Sequence, residues 1–181
     1  YFERRLERPR HIEVQLLGDA HGTVVPFVER ECSIQRRHQK LIEETPSPSV
    51  GPALRDRLTA AAAAIGHAAG YTGAGTIEFL MDAAGGFFFL EMNTRLQVEH
   101  PITEAVTGLD FVRAQIEIAQ GARMSDVLAG AGLKAGTVAA NGHAIEVRVY
   151  AEDPDEGFLP SPGSITHLRA PSGIGISDDS G

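Results

Sequence analysis

Residues 87–100, Phe-Phe-Phe-Leu-Glu-Met-Asn-Thr-Arg-Leu-Gln-Val-Glu-His, constrain the fold more than any other stretch. The segment opens as an apolar strand and then alternates strictly. Glu91, Asn93, Arg95, Gln97 and Glu99 fall on one parity; Met92, Thr94, Leu96 and Val98 fall on the other. Residues two apart share a face of an extended chain, so a strand here would present acid, amide, guanidinium, amide and acid along about 27 Å. The alternation alone also fits a half-buried strand with its polar side in water. A merely solvated face, however, has no need of two amides and an arginine bracketed by carboxylates.

The preceding residues sharpen this reading. Residues 75–81 read as a strand, 82–86 as a turn and 87 onward as the return strand. A four-residue loop, 83–86, pairs Asp82 with Phe87 and sets Glu78 opposite Glu91. Like charges placed directly opposite destabilise a sheet, and a cation between them removes that penalty. Mg²⁺ suits the position, because it takes one or two carboxylates together with substrate phosphates.

Glu78 in G-T-I-E-F-L, followed by F-L-E-M-N-T-R-L-Q-V-E-H-P-I-T-E, resembles the ATP-grasp core of biotin carboxylase, a component of acetyl-CoA, propionyl-CoA, methylcrotonyl-CoA and pyruvate carboxylases. The resemblance continues through E-R-E-C-S-I-Q-R-R-H-Q-K at 29–40 and G-H-A-I-E-V-R-V-Y-A-E-D-P at 142–154, with an insertion near 131–140. It implies an α+β fold: the C-terminal half of an ATP-grasp domain over residues 1–130, a largely antiparallel sheet backed by helices. Residues 131–181 would then start the β-rich C-terminal domain of biotin carboxylase.

The resemblance also implies residue roles. Glu78, Glu91 and Asn93 hold Mg²⁺ or Mn²⁺. Glu3, Leu6, His11, Gln35, His38 and Leu80 contact the nucleotide, Glu3 and Leu6 at its adenine. Arg4 stands where many members carry Lys. Arg95, Lys40, Gln97 and the Val98 backbone cradle bicarbonate, Glu99 is the general base, and Arg148 stabilises the enolate-like charge on biotin. ATP, bicarbonate and biotin are the implied reactants. A biotin carrier and a carboxyltransferase are the implied partners, in a homo-oligomer of the bacterial cytoplasm or the mitochondrial matrix.

Other readings stay open. His11 alone fits an exposed strand residue, residues 29–40 alone fit a solvated loop, and Arg148 alone fits a solvated strand position. Lys40 carries more weight, being one of only two lysines among sixteen basic residues. Another ATP-grasp ligase, such as a carbamoyl-phosphate synthase, shares the paired acids and Asn. A non-catalytic nucleotide-binding or assembly module is the alternative of another class.

The net charge of −8 argues against nucleic acid, and the single Cys32 permits no internal disulfide. No apolar run is long enough to span a membrane. The sequence opens on Tyr1 and closes within apparent structure, the pattern of a segment of a longer chain, and such a segment alone is expected to lack activity.

Further elements follow from local signals. Residues 11–16 alternate as a strand, 18–22 form a turn and 23–28 return. Pro52 starts a helix carrying Leu54, Leu58, Ala61, Ala62 and Ile65 and ending near Gly70. Another helix starts at 101–104. A third runs from an Asp110 cap to Gln120, with Leu109, Val112, Ile116 and Ala119 facing the core. His67 reads as structural. Residues 129–140 read as a linker, 142–150 as a strand with Ala144, Glu146, Arg148 and Tyr150 on one face, and 164–168 as a last strand.

Overall fold

The computed structural model describes every residue except 1, 4, 135–137, 180 and 181; Arg4 and part of the expected linker therefore lie outside the described residues. The chain forms two compact units, Tyr1–Arg148 and Val149–Gly181.

The first unit is a six-stranded, wholly antiparallel sheet with four helices. Its strands are β1 (Arg10–Gly18), β2 (Val24–Arg36), β3 (Gln39–Thr45), β4 (Gly73–Met81), β5 (Phe87–Asn93) and β6 (Ala144–Val147). They lie in the order β5-β4-β1-β2-β3-β6. The helices are α1 (Pro52–Ala68), α2 (His100–Thr107), α3 (Phe111–Ala119) and α4 (Met124–Gly130).

The central strand β1 explains why the sheet has two unlike faces. Ile12, Val14 and Leu16 share one parity and pack against Leu58 and Ala62 of α1. The other parity begins apolar at Leu17, which joins Val25, Phe27 and Ala74 in a core with Phe111, Ala114, Met124 and Leu128 of α3 and α4. Phe27 meets Phe111 edge-on, ring centroids 4.8 Å apart. Each such side chain removed from water contributes about 1.5–3 kcal/mol. Beyond Leu17 the same face turns polar, through Gln15, Glu13 and His11. The antiparallel register sets these against Thr76, Glu78 and Leu80 of β4. One face is thus sealed by helices at one end and charged at the other.

Local chemistry sets the element ends. Pro52 occupies the first turn of α1, and Asp110 caps α3 by accepting from the Arg113 N–H at 2.8 Å. Gly108, at φ 76°, ends α2 in the left-handed region that glycine tolerates. The Asp19 carboxylate accepts from the N–H groups of His21, Thr23 and Met124, tying the β1–β2 turn to the start of α4.

Three local expectations are corrected in this unit. Residues 29–40 are no loop: β2 runs on to Arg36, turns at Arg37 and His38, both at positive φ, and returns as β3. Their charges are tolerated because Glu29, Arg30 and Glu31 are buried against partners; Arg55, for example, grips Glu29 at 2.6 and 2.7 Å. Helix α3 buries Phe111, Ala114 and Ile118, whereas Val112 and Ile116 face outward. The apolar stripe is wide enough to permit either face, and the core chose the aromatic one. The 129–140 stretch begins inside α4, whose start is set by the Asp19 contact.

The second unit contains a two-stranded ribbon, β7 (Glu152–Asp153) with β8 (Leu159–Pro160). Residues 164–168 form no strand and are exposed. An exposed alternating pattern leaves its backbone groups to water unless another strand pairs with it.

Candidate active site

The polar end of the sheet opens into a cleft with two adjoining lobes of about 410 and 330 Å³. His11, Gln35, His38, Glu78 and Glu91 line both. Leu80 lines the first lobe; Lys40, Asn93, Arg95, Gln97, Val98, Glu99 and Arg148 line the second. Glu3 and Leu6, on the irregular segment before β1, are not among the lining residues.

Glu78 and Glu91 do stand opposite each other, by a different route from a four-residue loop. Met81 pairs with Phe87 across a five-residue connection, and a bulge between Glu78 and Phe79 then restores Glu78 opposite Glu91. The extra residue on β5 cancels the extra residue in the turn. Nor does the polar row continue extended beyond Asn93. The strand stops there and the chain turns into α2 at His100. That turn carries Gln97 and Glu99 inward, to 7% and 2% exposure.

The result is convergence on Glu78. Asn93 Nδ2 donates to its carboxylate at 3.1 Å, Gln97 Nε2 at 3.0 Å and Lys40 Nζ at 2.8 Å. His11 Nε2 lies 2.9 Å from its other oxygen. Burial pushes this carboxyl up, but His11 and Lys40 prevail and hold it at about 2. The same Asn93 amide nitrogen is 3.2 Å from Glu91 Oε1. One amide therefore spans both acids, an all-oxygen donor set once the amide is turned, and the set fits Mg²⁺.

Lys40 is the hub. Its ammonium donates to Glu13 at 2.6 Å, Glu78 at 2.8 Å and Glu99 at 2.6 Å, using all three of its protons. Burial alone would lower its pKa, but the carboxylates, Glu13 first, raise it. Glu99 also accepts from Arg148 Nη2 at 2.8 Å, so it sits between two cations. Arg148 lies just past β6, and its N–H donates to the Leu41 carbonyl, extending the ladder that aims the side chain. Gln35 donates to the Cys32 carbonyl at 2.7 Å and lies 3.2 Å from His11 Nδ1. Arg95 is exposed, its Nη1 3.3 Å from the Leu96 carbonyl.

Sequence reasoning left out Glu13, Arg30, Glu43 and Glu146 as site residues. Arg30 is the largest fully buried side chain. It donates to Glu13 at 2.5 Å, to Gln15 and Thr103 at 2.9 Å each, and to Thr76 at 3.3 Å. Burial raises the Glu13 carboxyl, but Arg30 and Lys40 hold it at about 2. Glu13 was legible from the alternation of β1. Arg30, between two glutamates, carries no local sign of burial.

A cleft on an antiparallel α+β sheet, with paired acids, an amide and a lysine at its floor, defines an ATP-grasp type of nucleotide-binding domain. The chain belongs to the family described as "Carbamoyl-phosphate synthase L chain, ATP binding domain", which matches residues 1–127. It is 52% identical over 180 residues to a biotin carboxylase of Nostoc, covering 99% of this chain and 39% of that protein. It is 48% identical over 180 residues to pyruvate carboxylase 1 of Caenorhabditis elegans, covering 99% of this chain and 15% of that protein. The chain thus spans less than two fifths of each of these relatives. Among solved structures, it is similar to the biotin carboxylase domain of Hydrogenobacter thermophilus 2-oxoglutarate carboxylase in complex with MgADP, ADP and bicarbonate. That comparison gives a TM-score of 0.87 and 45% identity over 94% of this chain and 36% of that one.

Proposed function

We propose that the full-length parent of this chain is a biotin carboxylase, which uses ATP to activate bicarbonate and transfers the carboxyl group to biotin on a carrier. The observation that carries the reading is the continuous relay Glu78–Lys40–Glu99–Arg148, which joins the paired acids to a base and an arginine in one cleft. A relative solved with MgADP and bicarbonate supports nucleotide, Mg²⁺ and bicarbonate as occupants. The relatives' names support a biotin carrier and a carboxyltransferase as partners, in an oligomer of a bacterial or mitochondrial enzyme. Among the described residues no helix is long and apolar enough to cross a membrane. The family match ending at 127 supports a division near 130 between the ATP-grasp part and the start of the following domain.

Glu78, Glu91 and Asn93 would hold Mg²⁺ or Mn²⁺, which when bound neutralises charge on the phosphate oxygens. His11, Gln35, His38 and Leu80 line the lobe assigned to the nucleotide, with Glu3 and Leu6 assigned to its adenine end. Lys40, Arg95, Gln97 and the Val98 backbone would bind bicarbonate. Gln97 offers Oε1, a buried acceptor that takes no hydrogen bond within the chain. Glu99 takes the bicarbonate proton as general base, so that the anion can attack the terminal phosphate of ATP, releasing ADP and forming carboxyphosphate. Carboxyphosphate breaks down to CO₂ and phosphate, and Arg148 stabilises negative charge on the ureido oxygen as biotin N1 gives its proton to the released phosphate and adds to the CO₂.

The test separates two half-reactions in the full-length parent: phosphate release with bicarbonate, and fixation of labelled bicarbonate onto free biotin. Glu99→Ala suppresses both. Arg148→Ala lowers carboxylation by about 10²–10³, the usual cost of losing one donor to a developing oxyanion, while sparing more of the ATPase. Equal losses in both assays would move Arg148 out of the biotin site.

A further inference from the structure

Arg148 is held at two points. Its Nη2 meets Glu99, and its Nε stands 2.8 Å from Oε1 of Glu43, a wholly buried carboxylate on β3. Glu43 is in turn opposite Glu146 in the β3–β6 register. Two acids directly opposite each other repel, and burial strengthens the repulsion. Both Glu43 oxygens and Glu146 Oε2 are buried, and Arg148 Nε meets the pair at Glu43 Oε1. A proton on one acid cancels the repulsion and supplies a donor for the other.

We propose that Glu43 and Glu146 share one proton and together act as positioning residues for Arg148. The pair then carries a single negative charge, matched by the Nε side of the guanidinium, and leaves Nη2 to Glu99 and the cleft. The charges around the pair are consistent. Glu146 faces Glu43 from β3, Arg148 from the end of β6, Glu99 from the turn before α2 and Arg30 from β2. Helix α2, which also packs on β6, carries His100 and Glu104, 3.9 Å apart as a pair. Outward on the same strands, His143 pairs with Glu44 at 3.1 Å. Burial first, then the Glu43 charge, pushes the Glu146 carboxyl up to about 7, with Arg148 opposing only in part. Burial raises Glu43 as well, again against Arg148. Above neutral pH the pair therefore gains a second negative charge beside Arg148, which draws the guanidinium back from the cleft. The consequence for catalysis rests on the proposed biotin-carboxylating function, because it takes the group that Arg148 meets in the cleft to be the ureido oxygen of biotin.

The experiment uses the full-length parent and two isosteric variants, Glu146→Gln and Glu43→Gln. Infrared difference titration of the wild type is expected to show a protonated-carboxyl stretch that disappears near neutral pH, and neither variant should show it. In the wild type, the ratio of biotin carboxylation to bicarbonate-dependent ATP cleavage is expected to fall severalfold from about pH 6.5 to 8, whereas in Glu146→Gln it stays flat. Glu43→Gln, which removes the partner of Nε, should lower biotin carboxylation about tenfold and the bicarbonate-dependent ATPase by less. The shared proton is overturned if the stretch persists in both variants. The positioning role is overturned if the Glu146→Gln pH profile of that ratio superimposes on that of the wild type. Absence of bicarbonate-dependent ATP cleavage in the wild type would instead refute the proposed function, and the infrared stretch would still decide whether the proton is shared.

Discussion

Arg30 is a wholly buried cation paired with a wholly buried acid, Glu13. It sits at the crossing of β1, β2, β4 and α2, and it is the one partner of Glu13 that is itself wholly buried. Removing one member of a buried ion pair typically costs about 3–5 kcal/mol, because the other is left in a medium that solvates it poorly. Arg30→Met is therefore expected to destabilise β1 and β2 by that amount, read as faster amide hydrogen exchange in those strands of the full-length parent. Arg30→Lys should not rescue it, since an ammonium cannot reach Glu13, Gln15, Thr76 and Thr103 together. Unchanged exchange in Arg30→Met would mean that Lys40 alone suffices to hold Glu13. Arg95 and Glu91, both exposed in the site, hold no wholly buried charge, as suits groups that meet substrate or metal.

At the scale of elements, the helix-sealed end of the sheet depends on close approach between a helix exit and a strand end. A Cβ built on Gly18 would lie 2.0 Å from the Tyr71 carbonyl oxygen, a backbone atom just after α1. Gly18→Ala must push that segment away from the sheet, and overpacking of this kind costs about 1–3 kcal/mol, or more where backbone must move. The same change at Gly163, exposed and outside any element, meets nothing within 4 Å and serves as the control. The expected outcome is a lowered thermal midpoint for Gly18→Ala and an unchanged one for Gly163→Ala; equal midpoints would show that the α1 exit is freely displaced. The β4–β5 hairpin makes the complementary point. Its proposed role in holding a metal depends on Glu78 facing Glu91, and a turn and a bulge, each irregular, combine to give the register that a regular hairpin would have given.

At the scale of the whole molecule, the charged network links folding to pH. Glu13 and Glu78 titrate at about 2 in the fold against an ordinary 4.5. Their folded pKa values are depressed, so their stabilisation is complete above 4.5 and drains as pH falls towards 2. Glu146 has the opposite sign: raised to about 7, it contributes stability below 4.5 that is lost as pH rises through 7. The thermal midpoint of the nucleotide-free parent should fall on both sides, and Glu146→Gln should remove the alkaline limb while keeping the acid one. A midpoint that stays level from about pH 4.5 to 2 would refute the acid limb. How far the sequence reached follows the range of the forces involved. Strand alternation, the Pro52 and Asp110 helix starts, the paired acids and the motif residues of the cleft were legible because each depends on neighbours a few positions away, or on a long ordered motif. The inward turn of Gln97 and Glu99, the burial of Arg30 and the meeting of Glu43 with Glu146 were not. The partners of Arg30 lie 15 to 73 residues away, and Glu43 meets Glu146 through strand pairing alone. Spacing in the chain carries no trace of such meetings. They were decided by strand order and register, which bury charges only where distant partners arrive to compensate them.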